Sequence, residues 1–124
     1  MNNYAVVLLN LGGPDSLDAV QPFLFNLFSD SDIFKIPIGQ KLFANIISKR
    51  RAPKVIEEYK HIGGNSPINK WTEIQRLNLE KELKNELNDV DVYTGMRYWN
   101  PSIKETAGII MGKNYSKIIM LLYY

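Results

Sequence analysis

The chain has 124 residues, of which 45% are apolar and 11% aromatic, enough for one modest domain with a core of its own. Its formal net charge of +2 is too small to argue for nucleic acid or an anionic membrane surface as the partner. The absence of cysteine excludes a disulfide framework and a thiolate metal site. The N-terminus lacks the basic region of a signal peptide, and no stretch approaches the roughly 18 apolar residues of a membrane span. We therefore expect a soluble, cytoplasmic protein.

The first third of the chain predicts a strand, a helix and a loop. Residues 4–9 form an apolar, β-branched run, which is typical of a strand buried on both faces of a parallel sheet. The chain turns at residues 10–14, and Asp15 or Ser16 is expected to cap a helix. Apolar residues recur through that helix at helical spacing, at Val20, Phe23, Leu24, Leu27 and Phe28. Residues 29–39 read as a loop with an apolar patch, Ile33 and Phe34.

The middle of the chain predicts three helices. The first spans about residues 41–48. The second begins at Pro53, since proline suits the first turn of a helix, and ends at Gly63, which can adopt the left-handed conformation. The third and longest spans about residues 69–87, with apolar residues expected down one side at Ile74, Leu77, Leu83 and Leu87.

Two further strands and one helix complete the pattern. Residues 90–96 predict a second strand, and the apolar run at residues 117–124 predicts a third. Ser102 with Glu105 predicts a capping box at the start of a helix that reaches about Lys113. Strands that alternate with helices indicate an α/β fold with a parallel sheet and flanking helices. The last strand has the composition of a central strand, and no closing helix follows it. We therefore expect the chain to be the N-terminal part of a longer polypeptide, truncated after its third strand.

Gly12 and Gly13 follow the first strand, at the end of the sheet where open α/β proteins bind their ligands. Glycine allows close approach of the backbone, so a phosphate-binding loop is one interpretation. The spacing does not match a dinucleotide or Walker motif, and Pro14 removes an N–H donor. A tight turn beside another kind of ligand is the alternative that we favour.

Arginines stand at two places that could bind carboxylates. Arg50 and Arg51 lie between two predicted helices, where they are either a solvated basic pair near a helix C-terminus or a guanidinium fork for carboxylates. Arg97 follows the second strand, at the ligand end of the sheet, and either binds a ligand or pairs with a neighbouring acid. Both alternatives stay open on these residues alone.

Two other groups of candidate functional residues give weaker evidence for a site. His61 is the only histidine and has no His, Cys or acidic cluster at ligand spacing, so we expect it to interact with helix-end carbonyls and not with a metal. Glu57 and Glu58 are adjacent, so they point in different directions and are expected on a solvated face.

Six segments, in order, resemble ferrochelatase, the enzyme that inserts ferrous iron into a porphyrin to make haem. They are Leu8–Pro14; the lip, residues 23–37; Arg50–Lys54; Tyr59 with Ile62–Ile68; Met96–Pro101; and Leu121–Tyr124. The resemblance implies a chelatase-type domain, flavodoxin-like and three-layered, of which residues 1–124 are an incomplete N-terminal part.

The resemblance also implies residue roles. Arg51 falls on the position that meets a porphyrin propionate, and Tyr59 and Ser66 fall on other porphyrin-binding positions. Arg97 and Tyr98 fall near the inner cleft. Apolar positions that face the macrocycle are Leu11, Leu24, Leu27 and Ile33. Ferrous iron is then a substrate, with no cofactor in this stretch, and the family's iron-side histidine and its partner glutamate lie beyond residue 124, so no catalytic residue or metal ligand is expected within it.

Two residues depart from the family pattern. Asn65 stands where many members have a third glycine, and because asparagine tolerates left-handed dihedrals we expect the turn to form. Asn100 stands where some members have histidine, which argues against a proton-transfer role there. We expect residues 1–124 in isolation to fold poorly and to show no iron insertion.

The sequence leaves alternatives at the level of function. One is a related chelatase that inserts cobalt into a tetrapyrrole, and another is a non-catalytic α/β module that binds phosphate at Gly12 and Gly13. The substrate is either protoporphyrin IX or coproporphyrin III, and nucleic acid is not expected as a partner. Peripheral membrane contact at the lip, the oligomeric state and an iron–sulfur cluster stay open.

Overall fold

A computed structural model describes residues 2–123 of the chain. The chain divides into two compact units. The sheet unit comprises Met1–Gly12 and Ile68–Tyr124, and the helical unit comprises Gly13–Pro67. We describe each unit separately.

The sheet unit contains three parallel strands, β1 (Tyr4–Asn10), β2 (Val90–Met96) and β3 (Lys117–Leu122), in the order β2-β1-β3. In this register Val7 of β1 lies between Tyr93 of β2 and Met120 of β3. The order 2-1-3 is the start of the flavodoxin-like strand order, and its carboxyl edge beside β1 is where such sheets bind ligands. The prediction of an α/β parallel sheet is confirmed.

Both faces of β1 are buried because its apolar run leaves no polar side. One face packs against α4 (Ile103–Met111) through Ile110. The other packs against α3 (Pro67–Glu86) through Leu79 and Leu83, and against Leu87 directly after it. Helices on the two faces give the sheet unit three layers. Leu77 was predicted on the buried side of α3 but is exposed, because the face towards the sheet follows a four-residue spacing from Leu79.

The N-terminus of α4 is capped as the sequence predicts. The Ser102 hydroxyl accepts a hydrogen bond from the backbone N–H of Glu105 at 3.1 Å. Within the described residues, β3 pairs only with β1 and all six of its residues are exposed. That β3 is a central strand of a larger sheet stays a prediction.

In the helical unit, a short 3-10 turn (Leu17–Ala19) leads directly into α1 (Val20–Phe28). Ser16 precedes the turn in an extended conformation and its side chain makes no capping hydrogen bond. The predicted side-chain cap at Ser16 is therefore wrong, because the chain enters α1 from a tightened turn and not from an extended residue.

The two helices predicted on either side of Arg50 are in fact one. Helix α2 runs without interruption from Gln40 to Lys60 and contains Pro53. Its buried residues are small and spaced four apart: Ala44, Ser48 and Ala52. Ala44 and Ala52 pack with Val20, Leu24 and Phe28 of α1 in one core. Because Val55, Ile56 and Tyr59, all beyond Pro53, pack against the same core, packing overrides the tendency of proline to break the helix.

Candidate functional site

The loop after β1 is joined to the loop after β2 by backbone hydrogen bonds. The carbonyl oxygen of Asn10 accepts from the N–H of Arg97 at 2.9 Å, and that of Leu11 accepts from the N–H of Tyr98 at 3.0 Å. These bonds extend the β1–β2 pairing beyond the strands. Three of the predicted site residues, Leu11, Arg97 and Tyr98, are thereby brought together at the carboxyl edge of the sheet.

Gly12 is required by this packing. Its φ of 81° lies in the left-handed region, and a Cβ atom built there would stand 3.1 Å from the Cβ atoms of both Met96 and Trp99. The turn and the close contact together account for the glycine without a phosphate ligand.

The loop after β2 places Arg97 half-buried and Tyr98 buried. The guanidinium carbon of Arg97 lies 5.5 Å from the centre of the Tyr98 ring, within the range of a cation–π contact. The Asn100–Pro101 peptide bond in this loop is cis. The end of the loop is hydrogen-bonded to the strand, since the Met96 N–H donates to the carbonyl oxygen of Pro101 at 2.7 Å.

In the helical unit, Arg51 lies in the middle of α2 and is exposed. Its guanidinium carbon stands 5.9 Å from the centre of the Phe28 ring. Tyr59 follows eight residues later and is half-buried, so the two side chains leave the same helix about 12 Å apart along its axis. Arg51 is therefore placed by a continuous helix, and the expectation that it lies between two helices is wrong.

The end of α2 has the predicted glycine stop. The N–H of Gly64 donates to the carbonyl oxygen of Tyr59 at 2.7 Å, with Gly63 at φ 98° and Gly64 at φ 81°. Among the described residues no side-chain-bearing residue has a positive φ, so Asn65 completes the turn without a left-handed dihedral. Ser66 follows, and its N–H donates to the carbonyl oxygen of Pro14 at 2.8 Å.

The lip, residues 23–37, contains three predicted porphyrin contacts in different environments. Leu24 is buried in the core of the helical unit, Leu27 is half-buried, and Ile33 is 51% exposed. Gln40 fixes the loop, because its side chain donates to the carbonyl oxygen of Phe28 at 2.8 Å and accepts from the N–H of Ile36 at 3.1 Å. Ile33 and Leu27 can face a ligand, whereas Leu24 supports them from the core.

One stretch that begins inside the lip and continues into α2 carries only positive charge. Residues 33–56, the basic segment, contain six lysines and arginines and no aspartate or glutamate. Acids stand on both sides of it, at Asp30 and Asp32 before it and at the C-terminal end of α2 after it, where the carboxylate of Glu57 accepts from Lys60 at 2.9 Å. That hydrogen bond lowers the pKa of Glu57. An anionic ligand beside Arg51 would therefore meet little competing negative charge along this segment.

Within residues 2–123, no group of three or more His, Cys, Asp or Glu side chains could hold a metal ion. His61 ends α2, and its N–H donates to the carbonyl oxygen of Glu58 at 3.2 Å. None of the helices formed by residues 2–123 is long and apolar enough to cross a membrane.

Fold and site together define an α/β protein of the doubly wound type, with candidate ligand groups after β1 and β2 and an exposed arginine on a basic helix. Residues 3–124 match the family model for ferrochelatase. The chain belongs to the ferrochelatase family.

Named relatives agree with the family model. The chain is 47% identical over 126 residues to a ferrochelatase from Gloeothece citriformis, which covers 100% of the chain and 33% of the relative. It is 46% identical over 119 residues to a ferrochelatase from Aquifex aeolicus, covering 96% of the chain and 37% of the relative. It is 46% identical over 123 residues to ferrochelatase-2, chloroplastic, from Hordeum vulgare, covering 96% of the chain and 25% of the relative. The chain thus spans about a third of the length of these curated relatives.

Proposed function

We propose that the protein, in its full length, inserts ferrous iron into a porphyrin in haem biosynthesis, and that residues 1–124 supply part of the porphyrin site. The observation that carries this proposal is the family match along residues 3–124. Iron is a substrate in this account, and no resident cofactor or metal ligand is assigned to residues 1–124.

Insertion of iron into a porphyrin requires that the ring is bound and distorted and that two protons are removed from it. A planar porphyrin holds two N–H protons towards its centre, so a metal enters only when the ring is distorted and the protons are removed. Binding energy from apolar walls and from a carboxylate clamp can be used for that distortion. A base that accepts the protons is also needed, and no residue of this stretch is assigned that role.

Arg51 is the proposed clamp for a propionate carboxylate. Its side chain is exposed, it projects from a rigid helix, and the basic segment around it has no acid to compete for the guanidinium. Arginine donates two parallel hydrogen bonds to a carboxylate, so the guanidinium group recognises the geometry of the carboxylate as well as its charge. Tyr59 and Ser66 are proposed at the macrocycle's edge, with Leu27 and Ile33 as apolar contacts.

The residues of the sheet unit are proposed to form a wall of the cleft. Leu11, Arg97 and Tyr98 share one backbone-bonded edge of the sheet, which is the place where doubly wound sheets bind ligands. Leu24 is retained in the proposal as a support for the lip, since it is buried.

A specificity panel tests the proposal. Purified full-length protein is given ferrous iron or Co²⁺ without oxygen, with protoporphyrin IX or coproporphyrin III, and metalloporphyrin formation is followed by absorbance. We expect saturable iron insertion, with kcat/KM at least tenfold higher for one of the two porphyrins. Insertion of cobalt but not of iron would favour the related cobalt chelatase, and binding of phosphate without binding of porphyrin would favour the non-catalytic module.

We also propose that the protein is cytoplasmic and that its lip, together with the start of α2 that follows it, contacts membranes peripherally. Large apolar side chains at Ile38, Leu42 and Ile46 are 90%, 65% and 51% exposed, and cationic residues of the basic segment flank them. A basic, amphipathic surface of this kind suits an anionic lipid interface.

Vesicle sedimentation tests the membrane contact. We expect the full-length protein to sediment with vesicles that contain phosphatidylserine, less so at 0.5 M salt, and the Leu42→Ser/Ile46→Ser variant to sediment at least fivefold less. Equal recovery of the two proteins, or equal binding to neutral vesicles, contradicts the contact.

A further inference from the structure

We propose that Asn10, held by Thr72, is a positioning residue for porphyrin binding, which sets the placement of Leu11 and Arg97 at the edge of the sheet. The inference rests on the proposed function and deepens it, because neither Asn10 nor Thr72 is among the porphyrin-contacting positions. Both residues, and both of the residues that they position, belong to the sheet unit.

Asn10 makes three hydrogen bonds that reach both loops. Its side-chain Oδ1 accepts from the N–H of Leu11 at 2.8 Å, and its carbonyl oxygen accepts from the N–H of Arg97 at 2.9 Å. Its side-chain Nδ2 donates to the Oγ1 atom of Thr72 at 3.2 Å. The side chain thus holds the backbone of Leu11, and the main-chain carbonyl of the same residue holds the backbone of Arg97.

Thr72 can only accept from Asn10. Its hydroxyl proton is already donated to the carbonyl oxygen of Ile68 at 2.7 Å, one turn earlier in α3. The partner of Thr72 must therefore be a donor, while the partner of the Leu11 N–H must be an acceptor. An amide side chain provides both from one planar group, which an ionised aspartate or a leucine cannot do.

Asn10 is nearly buried, so its side-chain amide would destabilise the folded protein if it lacked these hydrogen-bond partners. It ends a strand whose preceding residues are buried and apolar, and it is itself 9% exposed, while Thr72 is 1% exposed. A buried amide that lacks hydrogen bonds costs about 1–3 kcal/mol. The satisfied network therefore favours one side-chain orientation, and with it one conformation of the residue that follows β1.

Sequence reasoning missed this pair for a definable reason. Asn10 stands at the end of an apolar strand and was assigned to a turn, and Thr72 lies inside a helix 62 residues further along the chain. A polar residue that closes a doubly buried strand was the available signal. Its partner could be identified only from the packing of α3 against the sheet.

The test compares three threonine variants of the full-length protein. Thr72→Val removes the acceptor with little change of shape, and Thr72→Ser retains it. Thr106→Val is the matched control, since the buried Thr106 hydroxyl likewise donates to a backbone carbonyl, that of Thr94 at 2.6 Å. Porphyrin affinity is measured by fluorescence titration, and KM and kcat by anaerobic iron insertion.

We expect Thr72→Val to raise the porphyrin Kd and KM about tenfold, the effect of one buried hydrogen bond, without changing the KM for iron. Thr72→Ser and Thr106→Val should stay within twofold of the unmodified protein in both values. A purely structural role would lower the active fraction, and hence the apparent kcat, at unchanged KM. That outcome, or an equal rise of KM in Thr106→Val, overturns the inference.

A second variant keeps the inference testable if Thr72→Val does not fold. In Asn10→Asp the carboxylate still accepts from Leu11 but cannot donate to Thr72. Because burial raises the pKa of a carboxyl group, lowering the pH restores a donor as an O–H. We expect porphyrin binding of this variant to strengthen at least threefold from pH 8 to pH 6 relative to the unmodified protein. A pH profile parallel to that of the unmodified protein overturns the inference.

These experiments distinguish an error in the proposed function from an error in this inference. If the unmodified protein neither binds porphyrin nor inserts iron, the function is wrong. If it does both and Thr72→Val behaves as Thr106→Val does, only the positioning role is wrong.

Discussion

The backbone N–H of Tyr98 donates to the carbonyl oxygen of Leu11 at 3.0 Å, so that the segments after β1 and β2 continue to pair where their strands have ended. The pairing keeps residues that are 87 positions apart in the chain at one edge of the sheet. The proposed porphyrin wall is therefore built on a continuation of the sheet and not on an independent loop. Placement on a rigid element favours precise recognition of a ligand.

Because of this pairing, we expect alanine substitutions of Gly12 and Gly39 to lower the free energy of unfolding by different amounts. Gly12 and Gly39 both have positive φ, 81° and 75°, but only at Gly12 would a Cβ atom meet neighbours, at 3.1 Å from Met96 and Trp99. We expect Gly39→Ala to lower the free energy of unfolding by about 1–2 kcal/mol through its dihedral alone. Gly12→Ala should lose about 1–3 kcal/mol more, through crowding. Urea unfolding of both variants checks this, and equal losses would contradict the described packing of Gly12.

The glycines and caps of this chain could be predicted from sequence because their causes are local. Ser102 caps α4, and Gly63 ends α2, by interactions within a few residues. The continuity of α2 through Pro53 could not be predicted, since it depends on residues on both sides of Pro53, such as Ala52 and Ile56, packing in the core that α1 shares.

Pro53 provides a direct test of the continuous helix. Inside a helix, proline removes one backbone hydrogen bond, so Pro53→Ala should raise the free energy of unfolding by about 1–3 kcal/mol. Pro67 begins α3, where a missing N–H costs nothing, so Pro67→Ala is the control and should be neutral or slightly destabilising. If the two substitutions change the free energy of unfolding equally, Pro53 lies in the first turn of a separate helix, and the continuous α2 is contradicted.

Tyr115 predicts a dependence of stability on alkaline pH. Its hydroxyl donates to Asp91 and is hydrogen-bonded to that of Tyr93. Burial, and then these hydrogen bonds, raise the pKa of Tyr115 above its usual value. Since the unfolded chain ionises Tyr115 near its normal pKa of about 10 and the folded chain does not, its contribution to stability is complete below that pH and is lost above it.

Tyr115→Phe should remove this dependence. We expect the unmodified protein to lose stability above about pH 10 more steeply than the variant, by up to about 1.4 kcal/mol per pH unit. At neutral pH the variant should be the less stable of the two, because Asp91 loses its donor. Urea midpoints between pH 7 and pH 11 provide the measurement. Parallel curves above pH 10 would show that Tyr115 ionises normally in the folded protein.

Arg51 and Arg50 form a matched pair for the propionate clamp. Both are exposed in α2, but only Arg51 is proposed to meet the porphyrin. We expect Arg51→Ala to raise the porphyrin Kd about 10- to 100-fold, as for the loss of a charge-assisted hydrogen bond, and Arg50→Ala to change it less than threefold. Fluorescence titration measures both.

Esterification of the substrate isolates the charge of the carboxylate. With the porphyrin dimethyl ester, Arg51→Ala and the unmodified protein should bind alike, because the guanidinium group has no carboxylate to meet. If Arg51→Ala weakens binding of the ester as strongly as binding of the acid, Arg51 acts through packing and not through a propionate.

Anaerobic iron insertion by the full-length protein tests the central claim most directly. Porphyrin and ferrous iron are mixed with the enzyme, and the conversion of the porphyrin spectrum to that of haem is followed with time. We predict a rate that is proportional to enzyme concentration, saturates in both substrates, and falls at least tenfold in kcat/KM in Arg51→Ala but not in Arg50→Ala. A rate equal to that of the protein-free mixture would contradict the proposed function.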